Sequence, residues 1–203
     1  MQVNVCGQRG TGKSTFMTIL AEWAYRHKIP LYANYKLMFP YKKINIDMLT
    51  NYEIEKSALI LIDEVYLLFE SAESRTLFNR LMSYFFWQSR KRYVDIAISY
   101  QYNTSVDPKI RSGADMWVIC NSIPPLSRHA DYFLWSFRIP KETTLSPFYD
   151  INDLETVYEV LIPTESLKPI WKLFDTDELQ PIHEILESKY KGSYELRRKI
   201  RNE

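Results

Sequence analysis

The sequence predicts an α/β fold in which a mainly parallel sheet is doubly wound, with helices on both of its faces. A short extended segment, residues 2–6, leads into a glycine-rich loop and then into a stretch with helical spacing of apolar residues. Residues 58–62 form a continuous apolar run, which is typical of a strand buried on both faces of a parallel sheet. Strands and helices then alternate, as right-handed crossovers between parallel strands require.

The other elements follow from periodicity and from proline positions. Apolar residues recur at helical spacing over residues 13–27, and Pro30 marks the boundary beyond this helix. Within residues 132–138, Phe133, Trp135 and Phe137 alternate as one buried face of a strand would. The remaining predicted elements are strands over 31–35, 93–100, 115–120 and 132–138, and helices over 74–91 and 189–201.

Length and composition indicate a single globular domain. A chain of 203 residues that is 46% hydrophobic can bury a sizeable core. We expect one domain over 1–203, with its core in about 1–122 and with additional strands and a C-terminal helical extension in 123–203. The longest fully apolar run is residues 58–62, whereas a membrane helix needs roughly 20 residues. We therefore expect no membrane span, in a protein that is soluble or held at a membrane by a partner.

Charge and cysteine content restrict the functional classes. The 26 basic and 25 acidic residues leave a net charge of +1, so any contact with nucleic acid must come from a local basic patch. Cys6 and Cys120 are too few for a disulfide framework, and both occur in apolar surroundings. They are interpreted as small buried hydrophobes of a reducing compartment.

Residues 7–14 match the phosphate-binding pattern G-x-x-x-x-G-K-S in full, after a strand and before a helix. Backbone N–H groups of such a loop surround phosphates, and the following helix N-terminus adds positive potential. Lys13 is expected to reach the β- and γ-phosphates, Ser14 to ligate Mg²⁺, and Thr15 to touch the α-phosphate. The nucleotide-binding residues predicted here are Gly7, Gln8, Arg9, Gly10, Thr11, Gly12, Lys13, Ser14 and Thr15.

Two acidic residues follow the apolar run at 58–62. Asp63 is placed to hold Mg²⁺, and Glu64 is placed to act as general base toward the attacking water. Their strand is the third in sequence and not the second, because a helix and the strand at 31–35 lie between Lys13 and Asp63. This spacing predicts a P-loop NTPase of the class with an extra strand and a catalytic glutamate. No Asn-Lys-x-Asp guanine-reading motif occurs, so ATP is the expected nucleotide.

Gln101 ends the predicted strand 93–100, as Asp63 ends the strand before it. Since the carboxyl ends of parallel strands open onto one ligand crevice, Gln101 is expected beside the γ-phosphate or the lytic water. In that position its amide would sense hydrolysis, and we count it among the catalytic residues with Lys13 and Glu64.

These pieces together resemble the FtsK–HerA superfamily of hexameric DNA-pumping ATPases. Within it, they look like the genome-packaging ATPases of membrane-containing icosahedral viruses, including turreted viruses of archaea. The matching segments are 7–15, 33–35, 61–64, and 89–91 followed by the strand that ends in Gln101. They span roughly the first 120 residues. The segment after the Arg-Lys pair usually contains glycine in the family, and here it reads Arg92-Tyr93-Val94-Asp95.

The resemblance implies a ring, either a hexamer or a pentamer, that translocates double-stranded DNA into a capsid with ATP and Mg²⁺. It implies that Arg90 is an arginine finger for the neighbouring subunit, with Arg75, Arg80 and Arg111 as substitutes. DNA would be held by its phosphates, without sequence reading. The candidate basic residues for that contact are Arg111, Arg128, Arg197, Arg198, Lys199 and Arg201. Capsid or viral membrane proteins at a packaging vertex are the further expected partners, in the host cytoplasm or the virion.

Three other functions compete with packaging. Assembly ATPases that extrude filamentous phage resemble the same core, but they carry a membrane anchor that is not recognisable in this sequence. A P-loop small-molecule kinase would need a lid with arginines and an acceptor pocket, and neither is recognisable. A non-catalytic nucleotide-dependent module is disfavoured by the intact Lys13, Ser14, Asp63 and Glu64.

Overall fold

The computed structural model describes residues 1–45, 48–49, 53–65, 84–86, 88–101, 113–125, 130–141 and 153–175. The strands are β1 (Gln2–Cys6), β2 (Leu31–Ala33), β3 (Lys36–Leu37), β4 (Lys42–Lys43), β5 (Leu59–Ile62), β6 (Asp95–Tyr100), β7 (Met116–Ile123), β8 (Tyr132–Pro140), β9 (Leu154–Pro163) and β10 (Phe174–Asp175). The α-helices are α1 (Lys13–Arg26) and α2 (Thr164–Trp171), and a 3-10 turn spans Ser89–Arg92.

Within these residues, eight strands form one sheet in the order β4-β2-β5-β6-β1-β7-β8-β9. The six strands from β4 to β7 in that order are parallel, and β8 and β9 continue the sheet as antiparallel strands. Strand β6 lies between β1 and β5, so the strand of the phosphate loop and the acidic strand are not neighbours. The predicted α/β fold with a mainly parallel sheet and an extra strand is therefore confirmed.

Strand β5 shows why the sequence reads as an uninterrupted apolar run. Successive side chains of a strand point to opposite faces of the sheet. Leu59 and Leu61 pack in the apolar cluster that includes Phe16 of α1, whereas Ile60 and Ile62 pack in the cluster on the other face. Because both faces are covered, neither set of side chains can be polar.

The second face of the sheet is covered in part by the helical residues 84–86, which fall within the predicted helix 74–91. Phe85 and Phe86 are buried against the cluster of Ile60. Residues 66–83 and 87 lie outside the described residues, so most of this predicted helix is untested.

The end of that segment differs from the prediction. Residues 89–92 form a 3-10 turn, and Tyr93 has a left-handed backbone with φ 57°. The N–H of Val94 bonds to the carbonyl of Ser89 at 3.0 Å, and the N–H of Tyr93 bonds to that of Arg90 at 3.2 Å. These two bonds form a Schellman cap, which terminates a helix and turns the chain. Strand β6 consequently begins at Asp95 and not at residue 93.

The region after residue 123 contains more strand than the sequence indicated. Phe133 and Trp135 of β8 are buried, as their alternation predicted, while Phe137 is half-buried. Strand β9 was not predicted, because its residues are largely exposed and lack a clean alternation of apolar and polar side chains. The predicted terminal helix 189–201 lies outside the described residues. No helix in the described ranges is long and apolar enough to cross a membrane.

Candidate nucleotide-hydrolysis site

The phosphate loop occupies the turn between β1 and α1, at the carboxyl edge of the parallel strands. Gly7 is required by close packing, since a Cβ atom there would lie 2.4 Å from the carbonyl oxygen of Cys120. Gly12 directly precedes α1 with φ 86°, a left-handed conformation that glycine adopts without steric cost. Gly7 therefore allows the loop to pack against the neighbouring strand β7, and Gly12 allows the chain to turn from the loop into α1.

Within the loop, Thr11 is buried and its hydroxyl donates to the carbonyl of Gln8 at 2.7 Å. Gln8, Arg9 and Gly10 are exposed, so this stretch of the predicted phosphate cradle faces solvent.

Lys13 is almost fully buried, with 7% of its surface exposed. Its ammonium group donates to the carbonyl oxygens of Gly7 and Gln8, both at 2.9 Å. Burial lowers the pKa of Lys13, and the negative charge of Asp63 partly opposes that shift. A buried cation held against loop carbonyls is suited to bind an anion entering the same loop.

Ser14 and Asp63 meet across the edge of the sheet, as their predicted shared role requires. The Ser14 hydroxyl donates to Oδ2 of Asp63 at 2.6 Å. The other carboxylate oxygen, Oδ1, accepts from the Ser99 hydroxyl and from the backbone N–H of Glu64 at 3.1 Å. Ser99 lies in β6, so the extra strand helps to orient the acidic residue.

This pair of oxygen ligands fits Mg²⁺, a hard cation that usually takes one or two carboxylates and otherwise keeps waters and substrate phosphates. Ser14 and Asp63 would hold the ion, which when bound would neutralise charge on the phosphates. Among the described residues, no group of three or more His, Cys, Asp or Glu side chains could form an all-protein metal cage.

Glu64 and Gln101 lie side by side at the ends of β5 and β6. The amide Nε2 of Gln101 donates to Oε1 of Glu64 at 3.2 Å. Glu64 has a left-handed backbone with φ 50°, and its N–H donates to the Ser99 hydroxyl at 2.9 Å. Non-glycine residues in this conformation are uncommon and cluster at functional sites. The turn directs the carboxylate toward Gln101 instead of along the strand.

Asn34 was not singled out as a site residue, although it lies in a segment that carries the family resemblance. Its side-chain Oδ1 accepts from the backbone N–H of Asp63 at 2.7 Å, and its Nδ2 donates to the Asp63 carbonyl at 2.8 Å. Strand β2 ends at Ala33, and the backbone N–H of Asn34 still donates to the Leu61 carbonyl of β5 at 3.2 Å, so the Asn34 side chain extends this contact by one residue to Asp63. An asparagine directly after a strand that neighbours the acidic strand was the available signal.

Arg90 lies at the opposite edge of the sheet from this chain's own phosphate loop. Its guanidinium pairs with Asp115, whose carboxylate also accepts the backbone N–H of Gln2 at the start of β1. Strand β1 therefore separates Arg90 from the loop by roughly 15 Å, at about 3.3 Å per residue. Its predicted action on a neighbouring subunit stays a prediction. The other arginine-finger and DNA-contact candidates lie outside the described residues: Arg75, Arg80, Arg111, Arg128, Arg197, Arg198, Lys199 and Arg201.

The fold and the site together define a P-loop NTPase, in which a phosphate loop, a Ser14–Asp63 hydrogen bond and a glutamate beside a strand-terminal glutamine lie at one sheet edge. The chain belongs to the ATPase family associated with various cellular activities (AAA), whose family model matches residues 3–120. Nucleotide binding is a property of that family. No curated protein matches the chain significantly.

Solved structures are similar to this chain at low sequence identity. The N-terminal domain of zonular occludens toxin from Neisseria meningitidis is 12% identical with a TM-score of 0.57, covering 86% of this chain and 98% of that domain. The genome-packaging NTPase B204 from Sulfolobus turreted icosahedral virus 2, in complex with ATP-gammaS, is 13% identical with a TM-score of 0.49, covering 76% of this chain and 95% of B204.

Proposed function

We propose that this protein is an ATP-hydrolysing motor subunit that acts in a ring to translocate double-stranded DNA into a viral capsid. The main support for ATP hydrolysis is the hydrogen bond from Gln101 Nε2 to Glu64 Oε1, 3.2 Å long, beside the Ser14–Asp63 pair. A general base needs an acceptor oxygen within reach of water, and it benefits from a group that holds its carboxylate in a fixed orientation. Glu64 and Gln101 supply these two functions on adjacent strands.

The roles of the residues follow from their positions. The loop N–H groups and Lys13 would bind the phosphates, and Ser14 with Asp63 would hold Mg²⁺. Glu64 would accept the proton of a water molecule as that water attacks the terminal phosphate. Gln101 would hold the Glu64 carboxylate through Oε1 and leave Oε2 for the water. The hydrogen bond from the Gln101 amide to Glu64 would change when the terminal phosphate is cleaved, so the end of β6 would register hydrolysis.

DNA translocation is supported by the segments that resemble the packaging ATPases of the FtsK–HerA superfamily. Gln101 ends the strand that follows Ser89-Arg90-Lys91, which is the more particular part of that resemblance. Arg90 is exposed for 64% of its side chain, as a residue that acts on a neighbouring subunit needs to be. The proposed location is a packaging vertex, in contact with capsid or viral membrane proteins, in the host cytoplasm or the virion.

The test is steady-state ATP hydrolysis by the full chain, without DNA, with linear double-stranded DNA and with single-stranded DNA, alongside light-scattering mass with ATP and Mg²⁺. We expect stimulation by double-stranded DNA and a mass of several subunits. Glu64→Gln should bind ATP but hydrolyse it at least ~100-fold more slowly, because only the base is removed. Glu155→Gln, an exposed change on β9, is the matched control.

Three outcomes of these measurements would contradict parts of the proposal. Stimulation by single-stranded DNA alone would overturn packaging of double-stranded DNA and favour a filamentous-phage type of assembly ATPase. A strictly monomeric mass without any DNA stimulation would overturn the motor. Near-normal turnover by Glu64→Gln would remove Glu64 from the role of base.

A further inference from the structure

Trp171, the last residue of α2, contacts the phosphate loop region directly. Its indole Nε1 donates a hydrogen bond to the hydroxyl oxygen of Thr15 at 3.0 Å. An indole N–H is a donor only, so Thr15 must be the acceptor in this bond. The Thr15 hydroxyl therefore keeps its own hydrogen for a second partner. Thr15 is 5% exposed and lies in the first turn of α1, two residues after Lys13.

The position of Trp171 is determined from both ends of α2. At the start, the N–H of Thr164 bonds to the carbonyl of Asp131 at 3.0 Å, and Leu167 is buried. After the helix, Leu173 accepts from the N–H of Met38 at 2.9 Å, and β10 pairs with β3. Trp171 is thus held against α1 by elements on two sides.

The sheet order shows which part of a nucleotide Trp171 faces. Trp171 packs edge-to-face on Phe133 of β8, with ring centroids 6.3 Å apart. Strand β8 lies on one side of β1, whereas Glu64 follows β5 on the other side. The terminal phosphate must lie toward Glu64 for hydrolysis. The phosphate chain therefore runs from the Glu64 side toward Thr15, and the nucleoside leaves the loop on the Trp171 side.

We propose that Trp171 is a nucleoside-side positioning residue, whose N–H orients the Thr15 hydroxyl so that it donates to the α-phosphate. The ring is 39% exposed, so it also offers apolar surface to the ribose or base that follows this phosphate. Through Trp171, the segment after β9 completes the nucleotide site that the first 120 residues begin. This inference rests on the nucleotide site of the proposed function and is independent of DNA translocation.

The test compares the affinities of ATP and inorganic pyrophosphate, each with Mg²⁺, by calorimetric titration of the full chain. Pyrophosphate has two phosphates for the Lys13 and Mg²⁺ side of the loop but no α-phosphate and no nucleoside, so a contact on the nucleoside side affects it least. Trp171→Phe should weaken ATP binding about fivefold, the effect of one neutral hydrogen bond, and leave pyrophosphate binding within about twofold. Trp171→Ala should weaken ATP binding by about tenfold or more, because base or ribose contact is lost as well.

Variants at the other end of the bond separate positioning from packing. Thr15→Ser keeps the hydroxyl and should bind ATP normally, whereas Thr15→Val should lose affinity as Trp171→Phe does. In the Thr15→Val background, Trp171→Phe should have no further effect. Trp23→Phe is the matched control, since Trp23 is an exposed tryptophan of α1 whose ring packs on His27.

Two outcomes would overturn the inference, and they are distinguishable. If wild-type protein binds ATP and the Trp171 variants weaken ATP and pyrophosphate equally, or only lower the melting temperature, Trp171 merely docks α2. If wild-type protein binds neither compound, the nucleotide site itself is wrong and the inference fails with it.

Discussion

The side-chain amide of Asn34 forms two hydrogen bonds with the backbone of Asp63, one accepted at 2.7 Å and one donated at 2.8 Å. Asp63 and Glu64 follow β5, where the sheet ladder no longer holds the chain. Asn34 therefore helps Ser14 and Ser99 to position Asp63 and Glu64 relative to the phosphate loop.

Asn34→Ala should lower kcat for ATP hydrolysis about tenfold or more with a small change in KM, since misplaced catalytic groups slow the chemical step more than they weaken substrate binding. The melting temperature should also fall, because the Asp63 backbone loses both partners. Asn45→Ala is the matched control, because the exposed Asn45 side chain accepts only from the N–H of Met48 in the described contacts. An Asn34→Ala variant with reduced stability but unchanged kcat would contradict the positioning role.

Gln101→Ala should slow hydrolysis, because the hydrogen bond from Gln101 orients the Glu64 carboxylate. ATP binding should stay intact, because that hydrogen bond joins two residues outside the phosphate loop. Combined with Glu64→Gln, it should add little further loss, since the two residues act as one unit. Rates from single-turnover hydrolysis and affinities from calorimetry measure the two effects separately. Gln88→Ala, an exposed change, is the control. Fully additive losses would indicate that Gln101 acts independently of Glu64.

Lys13→Met should abolish the rise in melting temperature that ATP produces, while the protein without nucleotide keeps its stability or gains some. Burial lowers the pKa of Lys13, so its positive charge is disfavoured in the folded state relative to the unfolded chain. Wild-type stability should therefore rise with pH between the lowered pKa and the ordinary value of 10.5, and Lys13→Met should lack this rise.

Thermal unfolding of Lys13→Met at several pH values tests this, with the exposed Lys91→Met as control. A large loss of stability in Lys13→Met without nucleotide would show instead that its bonds to Gly7 and Gln8 outweigh the cost of the buried charge.

Gly7→Ala should destabilise the fold by about 1–3 kcal/mol, because its Cβ would overlap the Cys120 carbonyl and strain a tightly packed strand contact. Gly10→Ala should cost less, since its Cβ meets nothing within 4 Å and only its left-handed backbone is strained. Denaturant unfolding of both variants provides the comparison. Equal losses would mean that backbone conformation, and not the contact with β7, restricts position 7.

Arg90→Ala should greatly lower hydrolysis by the assembled protein, with a small effect on stability, because exposed ion pairs contribute at most about 1 kcal/mol. Asp115→Asn breaks the same ion pair but leaves the guanidinium in place. Hydrolysis by Asp115→Asn should therefore remain near that of the wild type. Equal loss of hydrolysis in both variants would mean that the ion pair matters, and that Arg90 is not a finger for the neighbouring subunit.

The phosphate loop, the acidic pair and the strand-terminal glutamine were predictable because each is a local pattern. Residues 7–14 must turn from strand to helix within eight positions, and β5 must be apolar because both of its faces are covered. The end of the helical segment at Tyr93 was not predictable. The sequence signal for a Schellman cap is usually a glycine, and here a tyrosine takes the left-handed position. Strand β9 was missed because an exposed strand carries no burial pattern.

The sequence by itself determined the chemistry of the phosphate side: Lys13, Ser14, Asp63 and Glu64 follow from spacing along the chain. Only the tertiary structure decided which residues hold that chemistry in place. Asn34 meets Asp63, and Trp171 meets Thr15 across 156 positions, because β2 lies beside β5 and α2 packs on α1. Such contacts depend on the order of strands and the packing of helices, which the sequence spacing of the two residues does not encode.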